Sequence, residues 1–341
     1  MEQMTGLERM NAALSFEEGD RVPVAFIYSY GTSKLIGATA AQYANSGEVM
    51  AKALLECVHL FNVDGILVSS DVTVEGEGCG SIMFQPENAP AHLVTPIVNT
   101  LKDLKALKVP DSRKAARMPV VLDALKICKK AVGDRVHISS CVMGPMNIAG
   151  HLRGVEQLMF DMIDEPDFFE EILDFALKVS IEYSKRQIDA GSEMVMAGEA
   201  LCSPSFISPK DYRKYVVPRH QIWSKACKEH GVKRTQMHIC GDATAILEDI
   251  GNTGVDCADI DHQVNMLEVK ERGRIVAKGN IDPALLAMGT VEQVMEKSRE
   301  VLELAKHGGG LILSSGCDLS RETPPENLFA MVEAANLYGR Y

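Results

Sequence analysis

The sequence predicts an α/β protein built as one closed TIM-type (β/α)8 barrel, and three observations carry that prediction. Short β-branched runs recur along the 341-residue chain, each followed by a turn and a longer stretch with helical spacing. Strands alternating with helices imply parallel pairing through helical crossovers, and eight such units suggest a closed ring. Polar and metal-competent residues (Asp71, Glu199, His238, Cys240, Asp261, Asn280 and Cys317) fall at the C-terminal ends of the runs, where such barrels place their chemistry. The competing fold, an open doubly wound sheet, would carry Gly-x-Gly-x-x-Gly after its first strand. Here that position reads Tyr28-Ser29-Tyr30-Gly31-Thr32.

Taken in order, the expected strands are 22–27, 65–69, 136–141, 193–197, 234–240, 255–260, 274–278 and 311–314. Amphipathic segments such as 168–190 and 291–306 supply crossover helices. After the fifth strand, Gly241 permits an abrupt exit and Asp242 is suited to cap the next helix. After the eighth, Thr323-Pro324-Pro325-Glu326 reads as a helix start, with Thr323 as cap, Pro324 at the first helical position and Glu326 completing a capping box. No Pro/Ser-rich linker or charge block divides the chain, so residues 1–341 are expected to form a single barrel domain with a short N-terminal helical extension.

Composition narrows the function classes. Hydrophobic residues at 46% and charged residues at 24% are those of an ordinary globular protein. A net charge of −12 argues against a nucleic-acid partner or an anionic membrane surface, both of which need concentrated Lys and Arg. No apolar run approaches the ~20 residues that span a bilayer. The start of the chain, Met1-Glu2-Gln3-Met4-Thr5-Gly6-Leu7-Glu8-Arg9, is charged where a secretory signal is apolar, so a cytoplasmic protein is expected. Nine scattered cysteines in a reducing compartment are then buried small hydrophobes or metal ligands. Cys57, Cys128, Cys141, Cys202, Cys227 and Cys257 read as packing residues, and Cys79 as a loop thiol.

Two pieces of sequence suggest a metal. In His238-Ile239-Cys240-Gly241-Asp242, positions i and i+2 of a strand point to one face, so imidazole and thiol can meet one ion. Gly316-Cys317-Asp318 follows the last strand, across the mouth of a closed barrel from the fifth. One imidazole and two thiolates suit zinc, and three protein ligands leave a position for substrate, the pattern of a catalytic site. An isolated His-x-Cys is also common in core packing, and the residues by themselves leave both readings open.

At these residues the chain resembles the uroporphyrinogen decarboxylase-like superfamily, in particular its zinc-dependent corrinoid (cobalamin) methyltransferase branch. That branch includes methylcobamide:coenzyme M methyltransferases and O-demethylase components. The resemblance runs through Glu8-Arg9-Met10-Asn11-Ala12-Ala13-Leu14 with Asp20-Arg21-Val22-Pro23, Leu101-Lys102-Asp103-Leu104, Val109-Pro110-Asp111 and Ile207-Ser208-Pro209 with Tyr215-Val216-Val217-Pro218. It continues in Gly279-Asn280-Ile281-Asp282-Pro283 and in Gly316-Cys317 with Thr323-Pro324-Pro325-Glu326-Asn327. The family's zinc motif maps onto His238, Cys240 and Cys317. The resemblance implies a methyl group moved between a corrinoid and a small substrate at zinc, either a thiol such as coenzyme M or a methoxylated aromatic or other methyl ether. The corrinoid would be carried by a partner protein docking on the barrel mouth, since this chain has no Asp-x-His-x-x-Gly signature of its own.

Around the zinc, Glu199 is expected to fill the vacant coordination position or accept the substrate proton, against a reading as a loop carboxylate. Asp71 is expected to be a catalytic acid. Glu75 and the pocket residues Tyr28, Met143, Asn147 and Phe206, with Phe26 beside them, are expected to contact or orient substrate. His262 reads as a loop histidine. Two rivals remain. A decarboxylase would need an Arg-rich stretch after the first strand to hold the carboxylates of a tetrapyrrole, and Tyr28-Ser29-Tyr30-Gly31-Thr32-Ser33 holds no arginine. A catalytically silent accessory barrel that binds a corrinoid protein or porphyrin is the other.

Overall fold

The structure, a computed structural model, describes residues 3–341. Its strands are β1 (Gly65–Val68), β2 (Ile82–Phe84), β3 (His92–Thr95), β4 (His137–Met143), β5 (Met194–Gly198), β6 (Arg234–Ile239), β7 (Cys257–Ile260), β8 (Val276–Ile281) and β9 (Leu311–Ser315). Seven of them pair in parallel in the order β1-β4-β5-β6-β7-β8-β9, with helices in the crossovers. Among the described residues no helix is long and apolar enough to cross a membrane.

The eighth position of the ring is held by segment 22–27, as expected, but only one bridge, Val24 to Leu313, qualifies as pairing. Pro23 has no N–H to give to a ladder. Its carbonyl still accepts from Leu313 N at 2.9 Å, and Ala25 N donates to Leu313 O at 3.0 Å. On the other side, Asp64 N donates to Val24 O at 2.8 Å, while the Asp64 carboxylate takes Val24 N at 2.7 Å. The segment therefore joins β9 to β1 and closes the barrel, with a side chain replacing one rung.

The helix Gly6–Ala13 is capped by a reciprocal Thr5/Glu8 box. It plugs the barrel floor. Met10, Ala13 and Leu14 pack with Ala25, Met194, Cys257, Val276 and Ile312 in a second, smaller core. Burying a Met or Leu in this way contributes about 1.5–3 kcal/mol each before entropy is counted.

Three details depart from the sequence reading. β8 begins after residue 274 because Arg274, at φ +55°, caps the helix Met266–Gly273 in the left-handed region. The strand then runs on to carry Asn280. The Thr323 capping box does not form. The helix is Pro325–Tyr338 with Pro324 at its cap, and the Asn327 N–H goes to the Pro324 carbonyl. Thr323 is thus one residue out of position, and its buried hydroxyl has no hydrogen-bond partner. The antiparallel hairpin β2–β3, inserted after β1, was not foreseen; its residues are mostly exposed and show no clean alternation.

Candidate functional site

β6 brings its last inward-facing side chain, His238, to the C-terminal mouth of the barrel. Nδ1 lies 3.1 Å from the Asp259 carbonyl on β7, which fixes the ring and leaves Nε2 facing the mouth. Nε2 is 3.3 Å from the Cys240 sulfur and 3.6 Å from that of Cys317, and the sulfurs are 3.8 Å apart. Zn–N bonds of about 2.0–2.1 Å and Zn–S bonds of about 2.3 Å at tetrahedral angles require edges of about 3.6 Å (N–S) and about 3.8 Å (S–S). The three donor atoms have the spacing of one face of such a tetrahedron. These residues could hold a metal ion.

The loop bearing Cys240 is tied to the end of β7 by a carboxylate, and the Cys317 loop packs close against it. Asp261 accepts from Gly241 N at 2.8 Å with one oxygen and from His262 N at 2.7 Å with the other. A Cβ on Gly316 would come within 2.9 Å of His262 N and 3.1 Å of Asp261. Gly241 sits at φ +76°, the left-handed turn that lets the chain leave β6 after Cys240. Asp242 then accepts from Thr244 N at 3.0 Å and heads the short turn Thr244–Ile246, ahead of the helix Leu247–Asn252. Asn280 does not reach the metal donors and donates to the Asp261 carbonyl at 3.1 Å. His262 pairs with Asp261 at 2.8 Å. Beneath His238, Asp259 is buried against Lys278 and accepts from Gln236 at 3.0 Å.

A cavity of about 130 Å3 opens beside the donor trio. It is lined by Asp71, Met143, Asn147 and Glu199 as well as by His238, Cys240 and Cys317. Asp318 and Ser29 also line it and were not anticipated; burial pushes the Asp318 carboxyl up to about 6, while it accepts from Ser29 N at 3.0 Å and from the hydroxyl. Glu199 follows β5 and is fully buried. Its oxygens accept from Met146 N at 3.2 Å and Asn147 N at 3.1 Å, at the start of the helix Pro145–Arg153, and lie 2.8 Å from His220 Nε2. Gly144 is what admits it, since a Cβ there would lie 2.2 Å from a Glu199 oxygen. Asp71 is paired with the buried Arg117, which also binds Glu77 at 2.6 Å.

The structure does not bring every expected residue to the cavity. Tyr28 and Phe26 line a separate small void behind β1, because the ring of Tyr28 packs down against Gly31. Phe206 is exposed on the loop after β5. Glu75 is buried, and its carboxylate accepts from Met143 N at 2.8 Å, one layer behind the wall. Asp259, Lys278, Gln236, Arg117 and His220 were missed. The signal for the first three was present: polar side chains at i and i+2 along and just past β6, β7 and β8 (Gln236/His238, Asp259/Asp261, Lys278/Asn280) mark an inward polar face.

Burial raises the Glu75 carboxyl to about 7 from an ordinary value of 4.5. The fold therefore holds a proton that the unfolded chain has lost, so this contribution to stability is intact below pH 4.5 and disappears as pH rises through 7. Glu75→Gln, which keeps an acceptor for Met143 N, is expected to flatten the decline by up to about 3 kcal/mol. Urea titrations of both proteins at pH 5 and pH 8 measure it; parallel curves would show that Glu75 is ionised in the fold.

Residues 5–338 match the family described as "Uroporphyrinogen decarboxylase (URO-D)". The chain belongs to the uroporphyrinogen decarboxylase family. Within it, the chain is 29% identical over 350 residues to the methylcobamide:CoM methyltransferase MtaA of Methanosarcina barkeri, with 99% of each chain covered. A uroporphyrinogen decarboxylase of Carboxydothermus hydrogenoformans is 26% identical over 300 residues, covering 85% of this chain and 83% of its own. Among solved structures, a methyltransferase from Methanosarcina mazei superposes with a TM-score of 0.89 at 28% identity, covering 98% of this chain and 99% of its own. This member of the family falls in the corrinoid-dependent methyltransferase branch and is an enzyme of that class.

Proposed function

We propose that the protein is a zinc methyltransferase that moves a methyl group between a corrinoid, carried by a separate protein docked on the barrel mouth, and a small thiol held beside His238, Cys240 and Cys317. The observation that carries this reading is the spacing of those three donors, 3.3, 3.6 and 3.8 Å, which fits one face of a zinc tetrahedron. When bound, zinc supplies the positive charge that keeps a thiol deprotonated at neutral pH.

The chain's own residues do the rest. The Asp259 carbonyl keeps Nε2 of His238 directed at the ion, and Asp261 holds the loop that carries Cys240. Apolar lining from Ile27, Leu67, Met143 and Met196 excludes water from the reacting sulfur. Glu199, already engaged by two helix N–H groups and His220, serves as a fixed polar wall, not as a further ligand. A docked corrinoid would supply the methyl group as an electrophile, and the part of His238, Cys240 and Cys317 would be to hold the thiol sulfur where its lone pair can take it. The thiol proton passes to solvent.

The cavity opens at the barrel mouth beside His238, Cys240 and Cys317, so the methylated cobalt would approach from the rim. All nine cysteines are unpaired, in keeping with work in the cytoplasm. Purified protein is expected to contain close to one zinc per chain and to demethylate methylcobalamin when given a thiol, seen as the cob(I)alamin spectrum. Metal-free protein with full activity would overturn the proposal.

A further inference from the structure

Coenzyme M, named for the relatives, is mercaptoethanesulfonate, a thiol with a permanent negative charge. This cavity is built against such a charge. Among the described residues lining it there is no lysine or arginine, whereas three carboxylates, Asp71, Glu199 and Asp318, face or border it.

The two features that would bind an anion are both already filled. Arg117 stands behind Asp71 with its donors committed to Asp71, Thr73 at 2.9 Å and Glu77 at 2.6 Å. The N-terminus of the helix Pro145–Arg153 points at the cavity, as anion sites do. Its Met146 and Asn147 N–H groups, however, are taken by the Glu199 carboxylate. Lys278 is buried below the site in a pair with Asp259 and does not line the cavity. A zinc with two thiolates carries no net charge to offset this wall.

Building on the thiol reading above, we infer that the thiol taken by this site bears no negative charge: its tail is neutral or cationic, and small enough for about 130 Å3. A sulfonate or carboxylate tail would be desolvated among carboxylates without a cationic partner, which is strongly unfavourable. A hydroxyl tail meets acceptors and the Ser69, Ser70 and Asn147 side chains, and an ammonium tail meets Asp71 or Asp318.

Three two-carbon thiols that differ only in tail charge test this: mercaptoethanesulfonate, mercaptoethanol and cysteamine. Each is supplied to the zinc-loaded protein with methylcobalamin, and rates are corrected for the thiolate fraction of the free thiol. Mercaptoethanol and cysteamine are expected to exceed mercaptoethanesulfonate in kcat/KM by about tenfold or more, with the same order in calorimetric Kd. Asp71→Asn, which releases Arg117 towards the cavity, is expected to shift the ratio back towards the sulfonate. Equal or better turnover of the sulfonate by the wild-type protein would overturn this inference and leave the thiol methyltransferase intact. Failure to methylate any of the three by protein that holds its zinc would instead overturn the thiol reading itself.

Discussion

Cys317→Ala is expected to strip the protein of its metal and reduce methyl transfer by roughly a thousandfold, about 4 kcal/mol of barrel-mouth chemistry. The argument is geometric. The Cys317 sulfur is one corner of a donor triangle whose other corners are 3.6 and 3.8 Å away, and no other described side chain joins that group. A divalent ion left with one imidazole and one thiolate is held far less tightly, and a competing chelator removes it. The fold should survive, since Cys317 is half-buried at the rim and the loop is anchored by Asp318 on Ser29 and by Leu319 N on Ile27 O at 2.9 Å. Cys141→Ala is the matching control. Its thiol borders the same cavity but lies against its own strand, near the Val142 carbonyl at 3.5 Å. It should keep zinc and most activity. Metal analysis, circular dichroism and the cob(I)alamin assay on both variants distinguish the roles, and a Cys317→Ala protein with a full complement of zinc would remove Cys317 from the site.

What could be read from the sequence divides along physical lines. Strand positions were legible because β-branched runs and their turns are local, and seven of the eight expected runs became strands. The convergence of His238, Cys240 and Cys317 was legible because His238 and Cys240 share a strand face by period two, and because the fold class itself brings the end of the last strand across the mouth. Side-chain direction after a turn was not. Tyr28 turned away from the cavity because the chain enters a 3-10 turn, Tyr30–Ile36, and packs its ring under Gly31. Glu199 was found at the right strand end, but its partners come from 146–147 and 220, far along the chain. Ion pairs of that kind, like Asp71–Arg117 and Asp259–Lys278, are fixed by tertiary approach and leave no spacing signature. Two of these carboxylates, Asp71 and Glu199, line the cavity, so its polar character was the least legible property.

Asp64→Asn is expected to cost about 3–5 kcal/mol of stability. Asp64 precedes β1 at the floor of the barrel, at the opposite end from His238, Cys240 and Cys317, and is 1% exposed. One carboxylate holds Arg21 at 2.7 Å, Arg9 at 3.0 Å and Val24 N at 2.7 Å, with both guanidinium groups nearly buried. It thereby ties together the N-terminal helix, the irregular closing strand and β1. An amide there can accept from one or two of these donors but carries no charge, so two buried cations lose their common counter-ion. Arg9→Met should be milder, about 1–2 kcal/mol, because Asp64 keeps Arg21 and Val24 N while Asp20, the other partner of Arg9, reaches water. Urea midpoints at constant m-value give both numbers. Zinc content in the folded fraction should be unchanged in both, since the carboxylate acts on barrel closure and lies at the opposite end of the strands from the donors. If Arg9→Met proved as damaging as Asp64→Asn, the plug helix, and not the shared carboxylate, would be what closes the ring.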